Sequence, residues 1–453
     1  MIIKKGVDTM NDYIQDFFNK SLKENEIANE LYSTYSVKKG LRNEDGTGVL
    51  VGLTKISDVV GYKKENGKKE NDYGQLYYRG INIKDIVNAR RENKRYLFEE
   101  VCFLILFGYL PNQEEFEKFK KLLSDNYELP EHFLQTNIMN IPARNMMNKL
   151  QRGILMLYSY DEDPDNIEVE ETLKKGINLI AKIPAIMCYS YQTKIHYFEN
   201  QSLVIHHVNK EYSFAEQILS LLRPDGKFTE KEAEVLDVSL ILHADHGGGN
   251  NSTFTSVVIS STGTDLYSAI AGSIGSLKGP RHGGANLKVK KQMELVIDEI
   301  SLEATDEQIQ AIVCRILDKD FNDNSGLIYG IGHAVYTLSD PRSEILSEKC
   351  KELAIEKGRL DEFHFYQRFA AIAINEIYKR KGIHVCTNVD FYSGLVYDML
   401  NIPSDLYTAL FVAGRTVGWI THIIENKLYS NRIIRPATKY VGEIEEYKNI
   451  EER

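Results

Sequence analysis

A chain of 453 residues, 43% hydrophobic and 26% charged, has ample apolar material for a globular core and exceeds one typical domain. Its net charge of −10 argues against a general nucleic-acid or anionic-membrane surface, while leaving room for a local basic pocket that takes a small anion. The first twenty residues have no apolar core, no window reaches about 18 apolar residues, and the five scattered cysteines form no CxxC pair, so a cytoplasmic chain free of membrane and disulfide is expected.

In chain order, residues 1–45 are charged and helical only in pieces. Val49–Val51 and Leu76–Tyr78 read as short strands of a hairpin within 48–80, with Asn66-Gly67 at its turn. Arg79 is expected in a structural salt bridge rather than on a ligand. From about residue 84 the periodicity is helical: Phe98, Val101, Cys102, Ile105 and Leu106 fall on one face. Pro111 and Pro130 bracket another helix, and Pro184 should start or kink the next. His206 and His207 lie in a polar stretch expected at the surface. Thr229 and Glu232 form a capping box for the segment running into ILHADH. Val289, Met293, Val296 and Ile300 mark a core stripe, as do Ile309, Ile312 and Ile316. Ser404 is read as the cap of a last helix, which carries Arg415 between Gly414 and a turn at Thr416-Val417-Gly418. The fold class is all-α, with one small β-hairpin near the N-terminus.

Chemistry concentrates at a few polar positions. His243 and His246 are three apart; one helical face could offer both to a metal, but a third ligand would be needed and Asp245 would point elsewhere. His282 lies between Gly279-Pro280 and Gly283-Gly284, before a helix whose positive end disfavours imidazolium and leaves a neutral hydrogen-bond donor. His333 follows Gly330-Ile-Gly332, where backbone approaches something closely. Asp390 has apolar and aromatic neighbours, and desolvation would raise its pKa toward that of a useful base. Arg342, Arg415 and Arg435 suit carboxylates through paired hydrogen bonds. Neutral histidines, one carboxylate and three arginines, without a serine elbow or P-loop, point to proton abstraction beside a carbonyl with an anionic partner.

The runs LHADH, STFTSVV, LKGPRHGGAN, GIGHAVY, DPR, NVDFYSG, GRTVGW and RIIRP occur in an order and spacing that resemble the citrate synthases, over about residues 228–441 and more weakly back to 76. The resemblance implies a helical homodimer with a large domain (1–283 plus 394–453) and a small one (284–393). It implies condensation of acetyl-CoA with oxaloacetate and hydrolysis to citrate and CoA, with no metal or other cofactor. By motif, Asp390 would deprotonate the acetyl methyl group, His282 would hold the enol oxygen, and His333 would polarise the keto group. His246, Arg342 and Arg415 would bind oxaloacetate, Arg435 would reach the partner's site, and Gly330–Gly332 would face CoA. 2-Methylcitrate synthase, using propionyl-CoA, is the close alternative; an HxxH metal hydrolase is the remote one. The chain departs from the family in having Gly247-Gly248-Gly249 where Glu often follows HADH, and Ala334 where many bacterial members have arginine. It also lacks the cysteine-bearing N-terminal β domain of NADH-regulated relatives, so that regulation is not expected.

Overall fold

The computed structural model of the protein describes residues 13–22, 25–43, 45–65, 68–93 and 96–452. It divides into two compact units, Met1–Leu53 with Arg435–Arg453, and Thr54–Ile434. In the first, 13–22 and Asn29–Thr34 are helical, Arg42 and Gly48 form an isolated antiparallel bridge, and the C-terminal residues are mostly irregular. Val49–Val51 is not a strand. Val49 donates its amide to the Leu41 carbonyl (2.9 Å) next to the Arg42–Gly48 bridge, but Leu50, at 85% exposure, has no packed surface to hold an extended segment in place.

The larger unit is helical apart from one sheet. Ser57–Glu65 and Lys68–Tyr78 pair antiparallel, with a register shift between Val60 and Tyr62, and Ile81–Asn82 adds a short third strand. The expected turn at Asn66-Gly67 lies outside the described residues. Arg79 forms no salt bridge among the described residues. Its guanidinium donates from Nε (3.0 Å) and Nη2 (2.7 Å) to the Ile105 carbonyl, satisfying the end of the helix Phe98–Phe107.

The core is built on three buried helices: Val169–Glu199, Glu230–His243 and Tyr407–Tyr429. The first continues through Pro184 rather than starting there, because its packed surroundings outweigh the single lost N–H bond. The second begins at the Thr229/Glu232 capping box expected from the sequence. In the third, every residue from Tyr407 to Ile423 is buried. Ser404 does not cap it; Ser404–Leu406 is a preceding 3-10 turn. Thr416–Gly418 is no turn either, since helix continues through it. The glycines serve contact instead: a Cβ on Gly414 would lie 2.9 Å from the Leu240 carbonyl, and one on Gly418 2.6 Å from that of Ala244. Two glycines four apart thus let this helix touch the backbone of the HADH segment.

The helices Ala285–Ile300, Asp306–Leu317, Pro341–Lys357 and Leu360–Lys381 pack on one another beside this core. Ion pairs tie Pro341–Lys357 to Glu230–His243: Lys357 with Glu232 (2.7 Å) and Lys349 with Glu234 (2.7 Å). Burial opposes ionisation of Glu232, yet Arg223 and Lys357 hold it down to about 2. Among the described residues, no helix is long and apolar enough to cross a membrane.

Candidate active site

The sheet serves the site by cradling the segment that carries His333 and Arg342. A side chain on Gly61 would run into the Val335 carbonyl (2.5 Å), and one on Gly74 into that of Ser339. Gly74 donates its amide to Ser339 Oγ (3.1 Å), and Thr337 donates its hydroxyl to the Gly61 carbonyl (3.3 Å). From the other side the segment is tied to the strand-like approach to Asp390. Gly332 N bonds the Cys386 carbonyl (2.8 Å), Asn388 N the Gly330 carbonyl (2.9 Å), and Asn388 Nδ2 the Gly332 carbonyl (2.9 Å). Gly330, at φ +80°, is hemmed in by Phe391 and Val289; Gly332, at φ +101°, has open space where a side chain would stand.

His333 accepts at Nδ1 from the amides of Val335 (3.0 Å) and Tyr336 (3.1 Å). Because both donors are backbone N–H groups, the ring proton of the neutral form sits on Nε2, which is left to donate. Burial, then the charge of Arg342, lowers its pKa to about 4, so it is neutral near pH 7. The ring stacks on Tyr336 (4.7 Å between centroids) and meets His246 edge-on (5.1 Å).

His246 is half-buried, and its Nε2, shut off from solvent, lacks any hydrogen-bond partner. Burial and the nearby Arg342 hold it well below the usual histidine range. His243 belongs elsewhere. The helix ends at His243, so the two rings share no helical face; His243 stacks on Phe411 (4.4 Å) and its Nε2 meets the Tyr397 hydroxyl (3.2 Å). Among the described residues no three His, Cys, Asp or Glu side chains are grouped to hold a metal ion, so the HxxH metal-hydrolase alternative has no third ligand.

Arg342 forms a paired interaction with Asp340, Nε to Oδ1 at 3.0 Å and Nη2 to Oδ2 at 2.7 Å, which leaves Nη1. Burial alone would lower its pKa, but Asp340 more than reverses this. Arg415 is fully buried. Nε donates to the His243 carbonyl (2.6 Å), whereas Nη1 and Nη2 have no partner. Two desolvated cationic donors left open cost stability, on the order of 1–3 kcal/mol each or more. Such a vacant fork suits an incoming carboxylate.

His282 accepts at Nε2 from the Ser252 amide (3.4 Å), and Ser252 Oγ lies 3.0 Å from the same nitrogen. Nδ1 therefore carries the proton of the neutral ring. Burial, then Arg415, lowers its pKa to about 4. Trp419 donates its indole N–H to Ser252 Oγ (3.2 Å), fixing that hydroxyl from the core. Asp390 is the second residue of the helix Val389–Met399, capped by Asn388, whose Oδ1 accepts the Asp390 amide (3.0 Å). A helix N-terminus favours the carboxylate, but burial prevails and raises Asp390 to about 6, against the pull of Arg342 and Arg415.

Residues 43–437 match the family described as citrate synthase, C-terminal domain. The chain belongs to the citrate synthase family. It is 34% identical over 414 residues to the citrate synthase of Haloferax volcanii, covering 90% of this chain and 96% of the relative. It is also 34% identical over 373 residues to the 2-methylcitrate synthase of Shewanella oneidensis, covering 81% and 88%. Among solved structures, the citrate synthase of Thermoplasma acidophilum, in ternary complex with carboxymethyl coenzyme A and oxaloacetate, superposes at a TM-score of 0.74 with 26% identity, covering 92% of this chain and 99% of that one. The mostly helical fold with a small sheet is that of a citrate synthase, and the chain is a transferase of that family.

Of the seven expected site residues, His246, His333 and Arg342 adjoin one another, and the charge of Arg415 acts on His246, His282 and Asp390. Arg435 falls in the other unit and is exposed. Sequence inspection missed Ser252, Tyr336, Asp340 and Trp419, although Asp340 stands two residues before Arg342 and Ser252 opens the STFTSVV run. His206 was expected at the surface, but it is half-buried, with Nε2 3.0 Å from the Arg223 carbonyl.

Proposed function

We propose that the enzyme condenses acetyl-CoA with oxaloacetate and releases citrate and CoA. The observation that carries this is the open, buried Arg415 fork beside His246 Nε2 and Arg342, a socket for a small polycarboxylate. Oxaloacetate presents carboxylates to the arginines and its keto oxygen to His333 Nε2–H. A carboxyl with a pKa of about 6 is ionised near pH 7, yet holds an abstracted proton better than an ordinary aspartate. Asp390 takes the proton from the acetyl methyl group, while His282 donates from Nδ1 to the thioester oxygen as negative charge grows there. One such fixed donor contributes on the order of 3 kcal/mol. The enol carbon attacks the keto carbon, and His333 passes its Nε2 proton to the new alkoxide. Water then cleaves the thioester. No step uses a metal or other cofactor.

The same reading covers assembly and place. Gly332, open to space, fits a loop facing CoA. The mutually packed helices between 285 and 381 fit a small domain, 284–393, that closes on a large one, 1–283 plus 394–453. The C-terminal segment carries exposed Tyr440, Ile444 and Tyr447, suited to cover by a second copy in a homodimer, with Arg435 completing the partner's site. Five unpaired cysteines suit the cytoplasm.

The Shewanella relative keeps a propionyl-CoA reaction, 2-methylcitrate synthesis, in view. One methylene in an apolar pocket changes discrimination by only about 1–3 kcal/mol. Thiol release with oxaloacetate and either thioester decides between them. We expect the higher kcat/KM with acetyl-CoA, and a clear preference for propionyl-CoA overturns the assignment.

A further inference from the structure

Asp245 is a fully buried acid with no step in the proposed chemistry. Its Oδ2 accepts from the Ser57 hydroxyl, from the Gly247 amide at 3.0 Å, and from His422 Nε2 at 3.2 Å. The donors come from the first residue of a strand, from the glycine turn, and from the helix Tyr407–Tyr429. Tyr78 adds a fourth tie, its hydroxyl lying 2.9 Å from the Ile241 carbonyl and 3.2 Å from that of Asp245. The other oxygen, Oδ1, has no hydrogen-bond partner and lies 2.5 Å from where a Cβ on Gly418 would stand. Gly418 is three residues beyond Arg415, and the charges of Asp245 and Arg415 act on each other.

Burying a carboxylate is costly, and an apolar side chain of similar volume would avoid that cost. The position of Asp245 supplies a reason for keeping it. We propose that Asp245 is a positioning residue of the oxaloacetate socket: clamped by Ser57, Gly247 and His422, it fixes the turn that presents His246 and provides the countercharge that holds the Arg415 guanidinium in place. This rests on oxaloacetate being the ligand of the socket. Asp245 acts through its neighbours, so its loss lowers affinity more than turnover.

Arg415 is drawn down to about 10 by burial. The groups acting on it are Asp245 and Asp390, which favour its charge; Tyr78, which does so only as phenolate; and Arg342, which opposes it. Its charge in turn disfavours protonation of His243, His246 and His282, and His422 is hydrogen-bonded to Asp245. Removing Asp245 takes away the first of the charges that support the guanidinium in this buried place.

The test compares wild type with the nearly isosteric Asp245→Asn. Oxaloacetate binding is followed by the fluorescence of Trp419, the one tryptophan in the chain, and by steady-state kinetics. We expect KM for oxaloacetate to rise about tenfold or more with kcat within about threefold. His422→Gln with Ser57→Ala keeps the acid but removes two donors; it should raise KM for oxaloacetate in the same direction, again with kcat little changed. If wild type itself fails to bind oxaloacetate, the substrate assignment fails. If wild type binds and Asp245→Asn matches it in KM, or loses only melting temperature and kcat, the positioning role is overturned. Should Asp245→Asn not fold, an unchanged KM in the Ser57/His422 double variant overturns it equally.

Discussion

Asp390 combines two demands that pull apart. Ionised, it is the proposed base; desolvated, it resists ionisation, and its pKa sits at about 6 rather than in the usual carboxylate range. Activity requires the deprotonated form, so kcat should fall as pH drops through about 6, a limb that a pH–rate profile would show. Asp390→Asn should keep oxaloacetate binding and lose turnover by about 10²- to 10⁴-fold. Stability moves the opposite way. A carboxyl raised in the fold destabilises it at any pH above the unfolded value, a cost that develops as pH rises from about 4 to about 6 and persists above. Asp390→Asn should therefore be more stable at neutral pH, by on the order of 1–3 kcal/mol before any local rearrangement, as read by denaturant titration. A lower stability in the variant would contradict the burial of this group. The residue was legible as a base because of its apolar neighbours. That Asn388 aligns it and that the arginines restrain its shift was not, since these contacts arise only when distant segments meet.

At the scale of elements, glycines decide how near the working segments lie. Gly414 and Gly418 bring Tyr407–Tyr429 against the HADH turn, and Gly61 and Gly74 bring the sheet against 335–339. Gly418→Ala should destabilise by about 1–3 kcal/mol through overpacking and raise KM for oxaloacetate together with it, since the displaced atoms belong to Ala244 and Asp245. Gly74→Ala should spare the helical core yet weaken oxaloacetate binding, because it displaces Ser339 next to the Asp340–Arg342 pair. Thermal melts paired with KM measurements separate the two effects. In the sequence Gly414 and Gly418 read as breaks around a turn, whereas they lie inside a continuous helix. A helical glycine that ends a helix and one that admits a neighbour look the same until the neighbour is in place.

At the scale of the whole molecule, the proposed homodimer makes its own predictions. Mixed dimers of Arg435→Ala and Asp390→Asn chains give a decisive complementation. If Arg435 acts across the interface, one site in each heterodimer regains both residues and activity returns; if it acts within its own chain, neither site does. We expect recovery, with sedimentation verifying that dimers have formed. A salt or pH treatment that dissociates the proposed dimer should likewise abolish activity before the core unfolds, seen as loss of rate with helical circular dichroism retained.

Taken alone, the sequence determined the helical class through its 3.6-residue periodicity, the capped start of Glu230–His243, and the histidines, aspartate and arginines whose ordered motifs mark the citrate synthase family. These are local signals: propensity, capping and spacing act within a few residues along the chain. Tertiary structure alone decided which nitrogen of each histidine carries the proton, since Ser252 and the amides after His333 take the opposite atom in the two rings. It also decided that Arg342 is half occupied by Asp340 while Arg415 stands open, that Val49–Val51 forms no strand, and that Pro184 interrupts no helix. In each of these the outcome depends on the partner a group meets and on the water it loses, and neither quantity exists until the chain has folded.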